Sequence, residues 1–221
     1  VSTGHGSRRA VYDLLTGKIA PYATDGDSIQ FDKIVNAPVD DETVGLVAEC
    51  LVDTDAETRR AGLFVLAGLQ DDSKERLDPF RPLVPRIRQL LLDNEAPVRC
   101  DALMAYAYFD PKDLGAAVHE FLGDPSGRNR LQAVRILDAE RNPSNVPTLL
   151  TLSLDTYHEE ERDAREWLVV REAAREAVEH VAHRSFPAPL DEEEIEGVAC
   201  LYHLWDPLWQ WAAKAGIRGN A

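Results

Sequence analysis

An aspartate followed six residues later by an arginine recurs along this chain, and no other feature constrains the fold as strongly. The run Asp53-Thr54-Asp55-Ala56-Glu57-Thr58-Arg59 aligns with Asp93-Asn94-Glu95-Ala96-Pro97-Val98-Arg99, forty positions on, with Asp, Ala and Arg in register. A third copy, Asp124-Pro125-Ser126-Gly127-Arg128-Asn129-Arg130, follows after thirty-one more, and a looser fourth centres on Val170-Arg171. Periods of this length belong to chains built from stacked supersecondary units. After each Arg a small residue stands at plus three (Gly62, Ala102, Ala133, Ala174). Apolar pairs follow at plus six and seven: Val65-Leu66, Ala105-Tyr106, Ile136-Leu137 and Ala177-Val178. Spacings of three and four put these groups on one helical face, and the small residue admits a neighbouring helix.

Eight residues before each clear Arg stands a Leu (Leu51, Leu91, Leu122), closing an upstream apolar helix over Val44–Leu51, Leu83–Leu91 and Leu114–Leu122. The unit is therefore helix, tight turn, helix. Asp53, Asp93 and Asp124 sit where a side-chain oxygen can cap exposed helix N–H groups, and Asp110-Pro111 reads as a cap followed by a first helical position. No strand-like alternation of useful length competes with this pattern.

The segments Thr58-Arg59-Arg60-Ala61-Gly62-Leu63, Val98-Arg99-Cys100-Asp101-Ala102-Leu103 and Val170-Arg171-Glu172-Ala173-Ala174-Arg175 resemble the second-helix signature of HEAT and HEAT-like (bilin-lyase type) repeats. The resemblance spans about residues 41 to 184 and implies an all-α fold, a right-handed α-solenoid of about four to five helix pairs. Terminal repeats need caps to keep their apolar faces dry. Residues 1–40 are expected to form a capping helix and connection, 41–184 the repeats, and 185–221 an aromatic helical cap, in one structural domain. The family serves scaffolds, inhibitors, nucleic-acid binders and a few enzymes, so the resemblance specifies fold far more than function.

Charge narrows the partners. With 39 acidic against 24 basic residues in 221, the net charge is −15. The resulting field repels phosphate backbones and anionic membranes and favours a basic partner. Cys50, Cys100 and Cys200 are far apart and match no zinc or redox spacing, so they read as apolar thiols in a reducing compartment. No run reaches the roughly 20 apolar residues of a membrane span, and the first residues carry no secretory pattern, so a cytoplasmic protein is expected.

Two segments depart from the repeat. Between the fourth first helix, near Val146–Leu154, and Arg171 lies an extra stretch, Asp155 to Trp167, carrying His158-Glu159-Glu160-Glu161; the place six residues before Arg171 is held by Arg165. It reads either as a function-bearing edge or as the solvated extension of a long helix. At the C-terminal end Tyr202, Trp205, Trp209 and Trp211 form an aromatic cluster that reads first as a hydrophobic cap and second as an anchor for a partner. Asp206-Pro207 is expected to start a helix there.

Catalytic chemistry finds little support. Some HEAT-repeat hydroxylases hold di-iron through His-Glu dipeptides at the start of second helices. Here those places are Arg59-Arg60, Arg99-Cys100, Arg130-Leu131 and Arg171-Glu172, while His119-Glu120 lies near the end of a first helix. His180 and His183 are one turn apart near Glu176 and Glu179, a spacing that suits a metal as well as an ordinary surface. No cofactor or metal is assigned, and no nucleophile triad or phosphate loop is present in the sequence.

The arginines on second helices, Arg59, Arg60, Arg99, Arg130, Arg135, Arg171 and Arg175, read chiefly as a ladder. In it Arg59, Arg99, Arg130 and Arg171 pair with turn carboxylates such as Asp53, Asp93 and Asp124 in their own or the adjacent repeat. The leading functional expectation is a non-catalytic scaffold, adaptor or inhibitor, possibly of immunity type, that is monomeric or weakly oligomeric and binds a basic protein. Candidate contact residues are Arg60, Arg135, Glu172, Arg175, Glu176, Glu179, His158, Glu159 and Trp167. The second reading is a HEAT-repeat enzyme or ligand binder acting through His119, His158, His180 or Glu159. The third is nucleic-acid binding through the arginines.

Overall fold

The computed structural model describes residues 13, 39–69, 74–109, 112–155, 157, 159–160, 166–167, 169–187 and 206–218, with residues 74, 159–160, 166–167 and 169 in backbone only. The described residues are all-helical apart from one two-residue strand pairing, and the helices pack in sequential pairs. The chain divides into two compact units, Val1–Ala117 and Val118–Ala221.

In the first unit, α1 (Asp41–Cys50) packs on α2 (Ala56–Gly68), α3 (Val84–Leu90) packs on α4 (Ala96–Tyr108), and α2 packs on α4. The core is made by the positions that the helical spacing selects: Val47 and Leu51 from the first helix, Val65 and Leu66 from the second, Ala105 and Tyr106 from the fourth. Each large side chain so buried contributes roughly 1.5–3 kcal/mol. Gly62 shows why plus three must be small. A Cβ there would meet the Cys50 Cβ at 3.1 Å and a Leu51 methyl at 3.3 Å. Burial, followed by the nearby Asp53 and Glu49, pushes the Cys50 thiol up to about 11, so it stays an inert thiol. Cys100 is half-buried and Cys200 lies outside the described residues.

The helix expected over Leu83–Leu91 is shorter and differently led. A 3-10 segment, Lys74–Leu83, precedes α3, because Pro79 and Pro82 lack the N–H groups and clear space that α-helix requires. Tyr106 donates its hydroxyl to Asp113 at 2.5 Å, and burial together with that carboxylate pushes the phenol up to about 12. Arg88 reaches the same carboxylate at 3.0 Å.

Helix α5 (Leu114–Phe121) runs across the boundary between the units. Asp110-Pro111, read as its cap, lies outside the described residues. The second unit continues with α6 (Gly127–Glu140), a 3-10 turn Pro143–Asn145, α7 (Val146–Leu152), the strands β1 (Glu159–Glu160) and β2 (Glu166–Trp167), α8 (Val169–Ala182) and α9 (Pro207–Lys214). Helix α8 packs on both α6 and α7. Ala133, Ala174, Ala177 and Val178 are fully enclosed.

The stretch after α7 is not the long-helix extension that the sequence allowed. Asp155 takes the Tyr157 N–H at 2.8 Å, which diverts the backbone from helix, and β1 pairs antiparallel with β2, Glu159 opposite Trp167. At the C-terminal end Asp206 caps α9 by accepting the Leu208 N–H at 2.9 Å, with Pro207 in the first turn. Leu208 and Ala212 are buried, the Trp211 ring lies 5.3 Å from the buried Phe186 ring, and the Trp209 indole N–H donates to the Ser153 hydroxyl at 3.0 Å. Tyr202 and Trp205 lie outside the described residues, as does the expected N-terminal helix except for Asp13, which is helical. No described helix is long and apolar enough to cross a membrane.

Candidate functional site

The recurring aspartates hold turns rather than cap helices. Asp53, Asp93 and Asp124 each accept, through Oδ1, the N–H two residues on, at 2.7, 3.0 and 2.8 Å. Two residues on, Asp55 caps α2 by accepting the Thr58 N–H at 2.8 Å, while Glu95 and Ser126 hold the same position before α4 and α6 without a side-chain capping bond. The expected cap thus moves two residues toward the helix at α2 and is absent as a side-chain bond at α4 and α6. Arg59, Arg99 and Arg130 then reach back to their own turns through main-chain carbonyls, not carboxylates. Their Nη1 groups donate to the oxygens of Asp53 (3.0 Å), Asp93 (2.8 Å) and Asp124 (2.8 Å).

The carboxylates serve the preceding repeat instead. Arg59 Nη2 donates to Asp93 at 2.9 Å, while Arg130 grips Asp155 with Nε at 2.7 Å and Nη2 at 2.9 Å. Burial pushes the Asp93 and Asp155 carboxyls up, but the guanidinium bonds and the turn N–H outweigh it and leave both below the ordinary range. Asp155 was missed as a repeat aspartate. It stands thirty-one residues after Asp124, the step that separates Asp93 from Asp124, and that spacing was the available signal. Arg171 opens α8 and is half-buried.

The root of the insertion is locked onto α6. Any Cβ at Gly127 would fall inside the Tyr157 ring, and the Arg130 guanidinium lies 6.0 Å from that ring's centre. A glycine is required there by the ring, not by a backbone conformation.

The expected contact residues separate into two groups. Glu172 and Glu176 are exposed one turn apart on α8, and Arg135 is exposed on α6. Glu159 and Trp167 are brought opposite each other by the strand pairing, and His158 lies outside the described residues. Arg175 is not a surface group: it is 8 % exposed, ion-paired with the buried Asp206, and donates to the Pro187 carbonyl at 3.2 Å. Glu179 is committed to the Phe186 N–H at 2.7 Å. Arg60 spans α2 and α4, bonding Asp101 at 2.8 Å and Glu57 at 2.9 Å.

A hollow of about 560 Å³ opens in the second unit between Arg141, Glu179, His180, His183, Arg184 and Ser185; the sequence points to His180, His183 and Glu179 as a His pair and carboxylate spaced to suit a metal, and not to Arg141, Arg184 or Ser185. Asp138 at its edge pairs with Arg141 at 3.0 Å and with His180 Nδ1 at 2.9 Å. Among the described residues no group of three or more His, Cys, Asp or Glu side chains is placed to hold a metal ion, and His119 is exposed on α5.

No protein-family model matches the chain, and no curated protein matches it. Among solved structures it is similar to an engineered protein whose crystal structure was determined as Northeast Structural Genomics Consortium target OR329, with 19% identity, 94% of each chain covered and a TM-score of 0.49.

Proposed function

We propose that the chain is a HEAT-like α-solenoid that acts as a non-catalytic scaffold, adaptor or inhibitor and binds a basic protein. The supporting observation is how its arginines are used. Arg59 and Arg130 are consumed in links to Asp93 and Asp155, Arg60 in a link to Asp101, and Arg175 in a buried pair. Cations that a phosphate backbone would need are thereby engaged internally, while Glu172 and Glu176 stand exposed on α8 in a chain of net charge −15. Such a field accelerates encounter with a cationic surface and discourages nucleic acid.

The test uses the purified chain as bait in a native lysate, followed by titration of the recovered partner. The control is Glu172→Lys/Glu176→Lys; Glu179 is left intact because its substitution would release Phe186. The expected result is one saturable, salt-sensitive complex weakened at least tenfold by the control. Tight binding of duplex DNA at low salt with a steep salt dependence would favour the nucleic-acid reading instead.

A further inference from the structure

Two helices of the second unit end in the same unusual way. Helix α6 stops at Arg141 and α8 at His183, and both residues take left-handed backbone, with φ of 51° and 50°. Glycine or asparagine ordinarily supplies that conformation, because a Cβ is penalised there. Arg141 and His183 are the non-glycine residues with positive φ among those described, whereas α2 and α4 end at Leu69 and Phe109 in right-handed backbone. Both strained residues line the same hollow, together with His180, Arg184 and Ser185.

We propose that this hollow binds a phosphoryl dianion, either free phosphate or the terminal phosphate of a small organic ester. The acids in reach are already engaged: Asp138 by Arg141 and His180, Glu179 by the Phe186 N–H. Arg184 lies with its guanidinium 5.2 Å from the Phe186 ring centre, a stacking that leaves its N–H edge available to a ligand. With one N–H of Arg141 and the Nδ1 of His180 spent on Asp138, the other N–H groups of Arg141, the Arg184 fork, the other imidazole edges and the Ser185 hydroxyl suit the oxygens of a phosphoryl group better than a carboxylate's two. Arg141 and Arg184 balance Asp138 and Glu179 around the hollow, so on a chain of net charge −15 it is a place of locally balanced charge, where a dianion meets less repulsion than the chain as a whole would give. Its volume of about 560 Å³ exceeds what phosphate fills and lies in the range of small-ligand sites, so an organic ester fits as well as the free ion.

The strained helix ends supply the test. Arg141→Gly and His183→Gly each replace a penalised residue by one that the backbone prefers, so both variants should unfold at a higher temperature while losing ligand. The full chain is titrated with inorganic phosphate and, separately, with phenyl phosphate, at fixed pH and ionic strength, following the imidazole C–H resonances. Saturable shifts of His180 and His183 without a shift of His119, weakened at least tenfold in Arg141→Gly and in Arg184→Gln, are expected. Tighter binding of phenyl phosphate assigns the site to an ester, and equal binding assigns it to the free ion. Unsaturable shifts, the same shifts with acetate, or glycine variants that bind as the parent does would overturn the proposal. If a variant fails to fold, the parent's shift pattern decides the case.

Discussion

The turn at Asp93 in the first unit and the turn at Asp155 in the second do the same work with different chain beyond them. Asp93 leads to Arg99 after six residues, whereas Asp155 leads to Arg171 after sixteen, with the β1–β2 pairing between. Yet each carboxylate holds its own turn and receives the arginine of the preceding repeat. The position of the aspartate is therefore dictated by the arginine behind it, and the distance to the arginine ahead is free to change. The grip also differs: Arg59 gives Asp93 one N–H, and Arg130 gives Asp155 two, a fork-on-carboxylate geometry that is roughly twice as strong per bond as a neutral pair.

That contrast is open to direct attack. Arg130→Ala strands a largely buried carboxylate and two turn carbonyls, so it should cost about 3–4 kcal/mol in urea unfolding. Arg59→Ala should cost less, about 2 kcal/mol; equal losses would mean that the second N–H adds nothing. Gly127→Ala drives a methyl into the Tyr157 ring and should cost about 2 kcal/mol. Most of that loss should return in Gly127→Ala/Tyr157→Ala, and a double variant no better than the single would detach the ring from the effect. The smallest change is one of pH. Because the Asp155 carboxyl is held below its ordinary 3.8, its contribution is complete above that pH and disappears as the pH falls through the lower folded value. The stability gap between the parent and Arg130→Ala should therefore shrink between pH 6 and pH 3; a constant gap would place the linkage elsewhere.

Much of this was written in the sequence, and the misses have physical causes. The helix pairs were legible because the small residue at plus three and the apolar pair at plus six and seven lie on one face, whichever side chains fill them. Asp155 is hidden in the sequence because the insertion places it sixteen residues before Arg171 instead of six. The cap was placed two residues early because a short acid before a helix suits both jobs, and only coordinates separate a turn-closing oxygen from a capping one. Arg175 looked like its exposed neighbours on α8, since its partner Asp206 lies thirty-one residues on, beyond a proline-rich break. Of the hollow, the sequence showed only the His180 and His183 spacing; Arg141 and His183 mark helix ends without the glycine that usually announces them.

The contact between Tyr157 and Gly127 has a mechanical consequence. A ring wedged where a side chain is missing, beside a carboxylate gripped by Arg130, fastens the chain to α6 before the strands begin. The chain leaving α7 is thus held to α6 at two adjoining points, a steric one at Tyr157 and an ionic one at Asp155, and a change at either is felt directly by α6.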